Sequence, residues 1–125
     1  MARWHFGDGH RRILRRLSLR LVSAAEIARG LAGLRALLGI PILVVPHVAV
    51  RLTGGAHLAG RLRRVEKTID AAQAAGLPCL DPRSFIERDG QTRALRNSGQ
   101  DYNHYALDYL PVVGEEIVRA LRTRL

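Results

Sequence analysis

Residues 40–50 form one apolar run in which only His47 is polar, and it is punctuated by Pro41 and Pro46. Continuous apolarity rich in Ile, Leu and Val suits a strand covered on both faces, as in a parallel sheet. The run is well short of the ~20 residues that a membrane-spanning helix needs. Whatever surrounds it must therefore cover it, which directs attention to the helical patterns on either side.

Before the run, apolar residues recur at Ile13, Leu14, Leu17, Leu21, Ala24, Ala25, Ala28, Leu31, Leu34, Leu37 and Leu38. That spacing follows one helix face and predicts one long helix, or two joined near Gly30 and Gly33, over residues 11–38. Gly39 follows in the C-terminal position that favours positive φ. After a turn at Thr53, Gly54 and Gly55, a second stripe of Leu58, Leu62, Val65, Ile69, Ala72 and Ala75 predicts a helix ending at Gly76. Residues 77–80 read as a second buried strand, stopped by Asp81 and Pro82. One helical turn is expected over 84–88 and a surface loop over 89–100, rich in Gly, Asn and Ser. A closing helix begins near Asp108, a natural N-cap, with Pro111 tolerated in its first turn. Strands alternating with helices predict right-handed crossovers and an α/β layer structure. A third strand could lie within residues 2–6 or come from another chain.

A chain of 125 residues with 47% hydrophobic and 25% charged side chains has the composition of one globular domain. Its 20 basic against 11 acidic residues give a formal charge of +9. The basic residues are spread along the chain and aromatics are sparse, so a nucleic-acid partner is disfavoured and general electrostatic attraction favoured. Cys79 is the single cysteine, which removes disulfides and cysteine-based zinc clusters and suits a reducing compartment. Arginines at 11, 12, 15, 16 and 20 interrupt any signal-peptide apolar core. The expected setting is cytoplasmic.

The chemistry-bearing segment is Asp101-Tyr102-Asn103-His104, after the polar loop and before the closing helix. An Asp three residues before a His can orient the imidazole and stabilise the imidazolium while the ring takes a proton from a hydroxyl. Strand, helix, a strand ending at Asp81, loop, Asp-x-x-His and closing helix together resemble the C-terminal part of the SGNH (GDSL-type) hydrolases. The similarity covers residues 40–125. It implies a three-layer, flavodoxin-like parallel sheet between helices, truncated here. It also implies Asp101 as orienter and His104 as base for a serine nucleophile, acting on carboxylic esters or acetylated sugars without a cofactor. The family's Gly-Asp-Ser block finds its nearest counterpart in Gly7-Asp8-Gly9-His10, where Gly9 replaces the nucleophile, and its Gly-x-Asn-Asp block has no match. The expectation is a member inactive unless the serine is supplied. The alternative is a non-enzymatic basic module docking an acidic protein, nucleic acid or anionic membrane. An apolar face left by missing strands would favour a homodimer.

The remaining candidates have plain structural readings. His47 could sit at a strand's C-terminal edge, where α/β ligands collect, but a lone histidine there is more often structural. His5, His10 and Asp8 match no strong metal pattern, so no metal is expected. Arg61, Arg63 and Arg64 could grip phosphate or form a solvated helix face. Glu115 and Glu116 suit the positive end of the last helix. Tyr102, Tyr105 and Tyr109 either line a pocket or pin the loop to the core.

Overall fold

Ser23 caps the first helix of the described residues. Its hydroxyl accepts from the Glu26 backbone N–H at 3.2 Å, and the Glu26 carboxylate accepts the Ser23 backbone N–H at 2.9 Å. This reciprocal capping box starts α1, Ala24–Leu38, in a computed structural model that describes residues 21–52 and 54–124. The helix runs unbroken through Gly30 and Gly33 and ends where Gly39 adopts φ 62°. A side chain there would be strained, so the glycine makes the exit possible. The portion of the expected helix before residue 21, the 2–6 strand candidate and the Gly7 to His10 stretch lie outside the described residues.

The remaining elements are α2 (Ala59–Ala74), α3 (Arg83–Asp89), α4 (Gln91–Ala94), a short α5 (Arg96–Gly99), a 3-10 turn at Leu107–Tyr109, and α6 (Leu110–Arg124). Helix α1 packs along α2, and Lys67 of α2 donates to the Val22 carbonyl at 2.9 Å. Val65, Ala71 and Ala72 are the buried positions of α2. The main core lies elsewhere, where Val48 and Val50 meet Phe85 and Ile86 of α3, Ala94, Leu95, Tyr109 and Val113 of α6.

The expected flavodoxin-like parallel sheet is not present. The described residues are predominantly helical, and β structure is limited to three isolated pairs, Val44 with Cys79, Arg51 with His57 and Leu95 with Tyr105. The two predicted strands do meet in parallel, since Val44 N–H donates to Pro78 O and Leu80 N–H to Val44 O, both at 2.9 Å. Neither direction can extend this contact. In a parallel ladder the following donors would be the backbone nitrogens of residues 46 and 82, and the preceding one that of residue 78. All three positions are proline and have no N–H. The apolar run is buried only at Pro46 and over residues 48–50, leaves Ile40 and Val45 exposed, and does not become a sheet strand.

The expected surface loop at 89–100 is also corrected. Ala94 and Leu95 are 0% and 1% exposed, and the segment folds into α4 and α5 around the core. Gln91 anchors it: its side-chain oxygen accepts Arg51 N–H at 2.8 Å, and its amide nitrogen donates to the carbonyls of Arg51 and Gly99 at 3.0 and 3.1 Å. Polar composition here serves backbone satisfaction, and the two apolar residues reach inward.

A charged seam joins α3 to α6. Arg88 donates to Asp89 at 2.7 and 2.8 Å and to Glu116 at 2.9 Å, while the Tyr109 hydroxyl donates to Asp89 at 2.8 Å. The hydrogen bonds from Arg88 and then Tyr109 hold the Asp89 carboxyl well below its ordinary range, and Arg88 lowers Glu116. Depressed folded-state values contribute stability above the unfolded carboxylate pKa, lost as pH falls through the folded value. The urea midpoint should therefore decline on acidification from about pH 5 toward pH 3. Arg88→Gln should flatten that decline; an unchanged slope would remove the seam as its cause.

Candidate functional site

After a turn at residues 100–103, the chain returns past Leu95 through Tyr105. Arg96 N–H donates to His104 O at 3.1 Å and Ala106 N–H to Ala94 O at 2.9 Å, pairing Leu95 with Tyr105. Between these contacts and α5, the chain makes a tight turn. Asp101 N–H donates to Arg96 O at 3.1 Å, and the Asp101 carboxylate accepts Asn103 N–H at 3.1 Å. An Asp side chain bonding two residues on is the Asx turn expected before a change of direction.

The same carboxylate meets His104. Nδ1 of His104 lies 2.9 Å from one Asp101 oxygen and 3.1 Å from the other. A bond from Nδ1 to a carboxylate needs the proton on Nδ1, so in the neutral ring Nε2 carries the lone pair. The His104 side chain is 64% exposed and that of Asp101 23%, leaving Nε2 open to a ligand. Asp101 is held below the usual carboxylate range, first by the Asn103 backbone N–H and then by His104. It stays ionised and can balance an imidazolium. The two residues singled out by spacing are thus brought into hydrogen-bond contact.

A third participant comes from 40 residues upstream in sequence. Arg61 of α2 donates to Tyr102 O and, at 2.9 Å, to the Asn103 side-chain oxygen. Its guanidinium fixes the inner residues of the Asp101 to His104 turn. Sequence reading left Arg61 as a solvated position or a phosphate ligand, because nothing local says that α2 crosses this turn. Beside the clamp is a cleft of about 330 Å³ lined by His47, Arg61, Arg64, Val65, Thr68 and Asn103. The tyrosines mostly pin the segment. Tyr109 is buried in the core, and Tyr105 stacks on it with ring centres 6.4 Å apart. Burial, with a smaller effect from the Asp81 charge, pushes the Tyr105 hydroxyl up to about 12.

Other expected positions have structural roles. Asp81 does not close a sheet strand; it lies just before α3 and accepts Arg83 N–H at 3.0 Å and Arg83 Nε–H at 2.6 Å. Glu116 pairs with Arg88 and with Arg119, both at 2.9 Å. His5, Asp8 and His10 lie outside the described residues, among which no three His, Cys, Asp or Glu side chains converge on one point. No helix of the described residues is long and apolar enough to cross a membrane.

The profile of the TviD N-terminal domain matches residues 1–120. A stretch of 80 residues is 29% identical to the Vi polysaccharide biosynthesis protein TviD of Salmonella typhi, covering 64% of this chain and 9% of that protein. No solved structure matches. These findings overturn the resemblance to SGNH hydrolases and with it the expected ester hydrolysis; the alternative of a basic binding module finds no support either. The misleading signal was short. Asp-x-x-His fixes only two residues, and the α/β order that gave it context was itself a misreading of a proline-interrupted run.

Proposed function

The chain belongs to the TviD N-terminal domain family, and from that membership we propose that it serves the making of a polysaccharide, with Asp101 and His104 handling the proton of a sugar hydroxyl. The observation that carries the reading is the 2.9 Å contact between His104 Nδ1 and Asp101, with the rest of the imidazole open to solvent. Nε2 takes the hydroxyl proton, and ionised Asp101 stabilises the resulting imidazolium. Arg61 keeps the turn in register. The single cysteine suits a cytoplasmic setting for this step.

The test is made on the gene in its own host. His104→Ala and Asp101→Asn should each reduce the amount or substitution of the host's polysaccharide, and the underlying rate should fall by roughly 10²- to 10⁴-fold for His104→Ala. Both side chains are largely outside the core, so the thermal midpoint of the purified variants should match that of the parent. A normal polysaccharide from the His104→Ala strain would rule out proton transfer at this residue.

A further inference from the structure

The cleft beside the Asp101 to His104 turn carries two arginines and no opposing charge. Arg61, Arg64 and Thr68 share one face of α2 with Val65, spaced as neighbours over two turns, and His47 and Asn103 close the other side. No carboxylate lines it. Asn103 Oδ1 accepts from Arg61, which leaves the Asn103 amide nitrogen as a donor, while the Thr68 hydroxyl spends its one proton on Arg64 O at 2.9 Å. Arg61 is held by the turn. Arg64 is not, because among the described residues its side chain's one hydrogen bond is a long contact from Nε to Gly60 O at 3.4 Å, leaving both terminal nitrogens unengaged. A guanidinium fork with open nitrogens beside a second arginine and the Asn103 amide matches a planar or tetrahedral oxyanion.

We infer that this cleft holds the anionic group, a carboxylate or a phosphate, of the ligand whose hydroxyl faces His104. The inference rests on the proton-transfer reading for the identity of the ligand as a sugar, but the cleft and the base are separate side chains and fail separately. Asn103 links them, lining the cleft one residue before His104. An anion bound at Arg64 would fix the sugar on one side while the imidazole meets it on the other, the positioning that makes a weak base effective.

The experiment titrates the purified chain at low salt with glucose 1-phosphate, glucuronate and glucose, read by calorimetry and by amide chemical shifts. At least one of the two anions should bind and glucose should not; the stronger anion identifies the group as phosphate or carboxylate. Arg64→Gln should weaken binding by about tenfold or more, whereas Arg63→Gln, on the same helix but outside the cleft, should leave it unchanged. Equal binding of glucose, equal losses in Arg63→Gln and Arg64→Gln, or no anion binding by the folded chain would each overturn the proposal. His104→Ala should retain anion binding. Anion binding with a normal polysaccharide in the His104→Ala strain would leave the cleft standing and remove the base; the reverse pair of results would do the opposite.

Discussion

Tyr109→Ala should destabilise the chain by about 3–5 kcal/mol, the range for removing a large ring from a packed core. The ring is 1% exposed and sits between Phe85, at 6.5 Å, and Tyr105, at 6.4 Å. Its hydroxyl donates to Asp89 at 2.8 Å and lies 3.2 Å from the Phe85 carbonyl, so truncation opens a cavity and removes a bond to a charged group together. Tyr109→Phe separates the two effects. It keeps the ring and should lose roughly 1–2 kcal/mol, the worth of a hydrogen bond to a carboxylate that retains Arg88 as a partner. Small domains are stable by only about 5–15 kcal/mol, so the alanine variant should be close to unfolding at room temperature. Urea denaturation followed by circular dichroism decides it: equal losses in the two variants would mean that the hydroxyl, not the packing, is what matters.

The second large effect is expected at a residue with no side chain. Gly99 has φ +84°, and a Cβ placed there would lie 3.0 Å from Thr92 Cα and 3.1 Å from Gln91 O and Thr92 N. All three are backbone atoms and cannot rotate aside. It also follows Asn97 and Ser98, themselves left-handed at φ 52° and 53°, so the segment has no slack to absorb a further shift. Gly99→Ala should lose about 1–3 kcal/mol from positive φ and crowding together. Because Gln91 donates to Gly99 O and Asp101 N–H to Arg96 O, the strain passes directly to the Asp101 to His104 turn. Shifts of the His104 and Asn103 amide signals should accompany the loss. Gly33→Ala is the control: nothing lies within 4 Å of its added methyl, and a mid-helix alanine should stabilise by about 0.5–1 kcal/mol. A Gly99→Ala protein as stable as the parent, with unmoved turn signals, would show that the backbone yields there.

The parts of the fold that were legible in the sequence are those decided by near neighbours. Periodicity placed α1, α2 and α6, and Gly39 marked the end of α1, because helical hydrogen bonds and side-chain faces depend on residues three and four apart. The capping box of Ser23 and Glu26 was equally local, a signal present in the sequence and passed over. So was the reason no sheet forms. Pro46, Pro78 and Pro82 remove the donors on which the next rungs depend, and apolarity alone was read where donor positions should have been counted. Asp101 and His104 were found for the same local reason, since a carboxylate and an imidazole three residues apart meet across a single turn.

Contacts whose partners are far apart in the chain were settled by packing alone. Nothing near residue 94 says that Ala94 and Leu95 will be buried, since their coverage comes from Val50, Phe85 and Tyr109. Nothing near Arg61 says that its guanidinium will hold Tyr102 and Asn103. Local sequence sets which dihedral angles and hydrogen bonds a segment can adopt. Burial and electrostatic pairing depend on which segments come to lie side by side, and that is settled by the apolar area of the whole chain leaving water at once. Near neighbours therefore set the helices, the proline-limited contact and the Asp101–His104 pair; packing of the whole chain placed that pair beside an arginine-lined cleft.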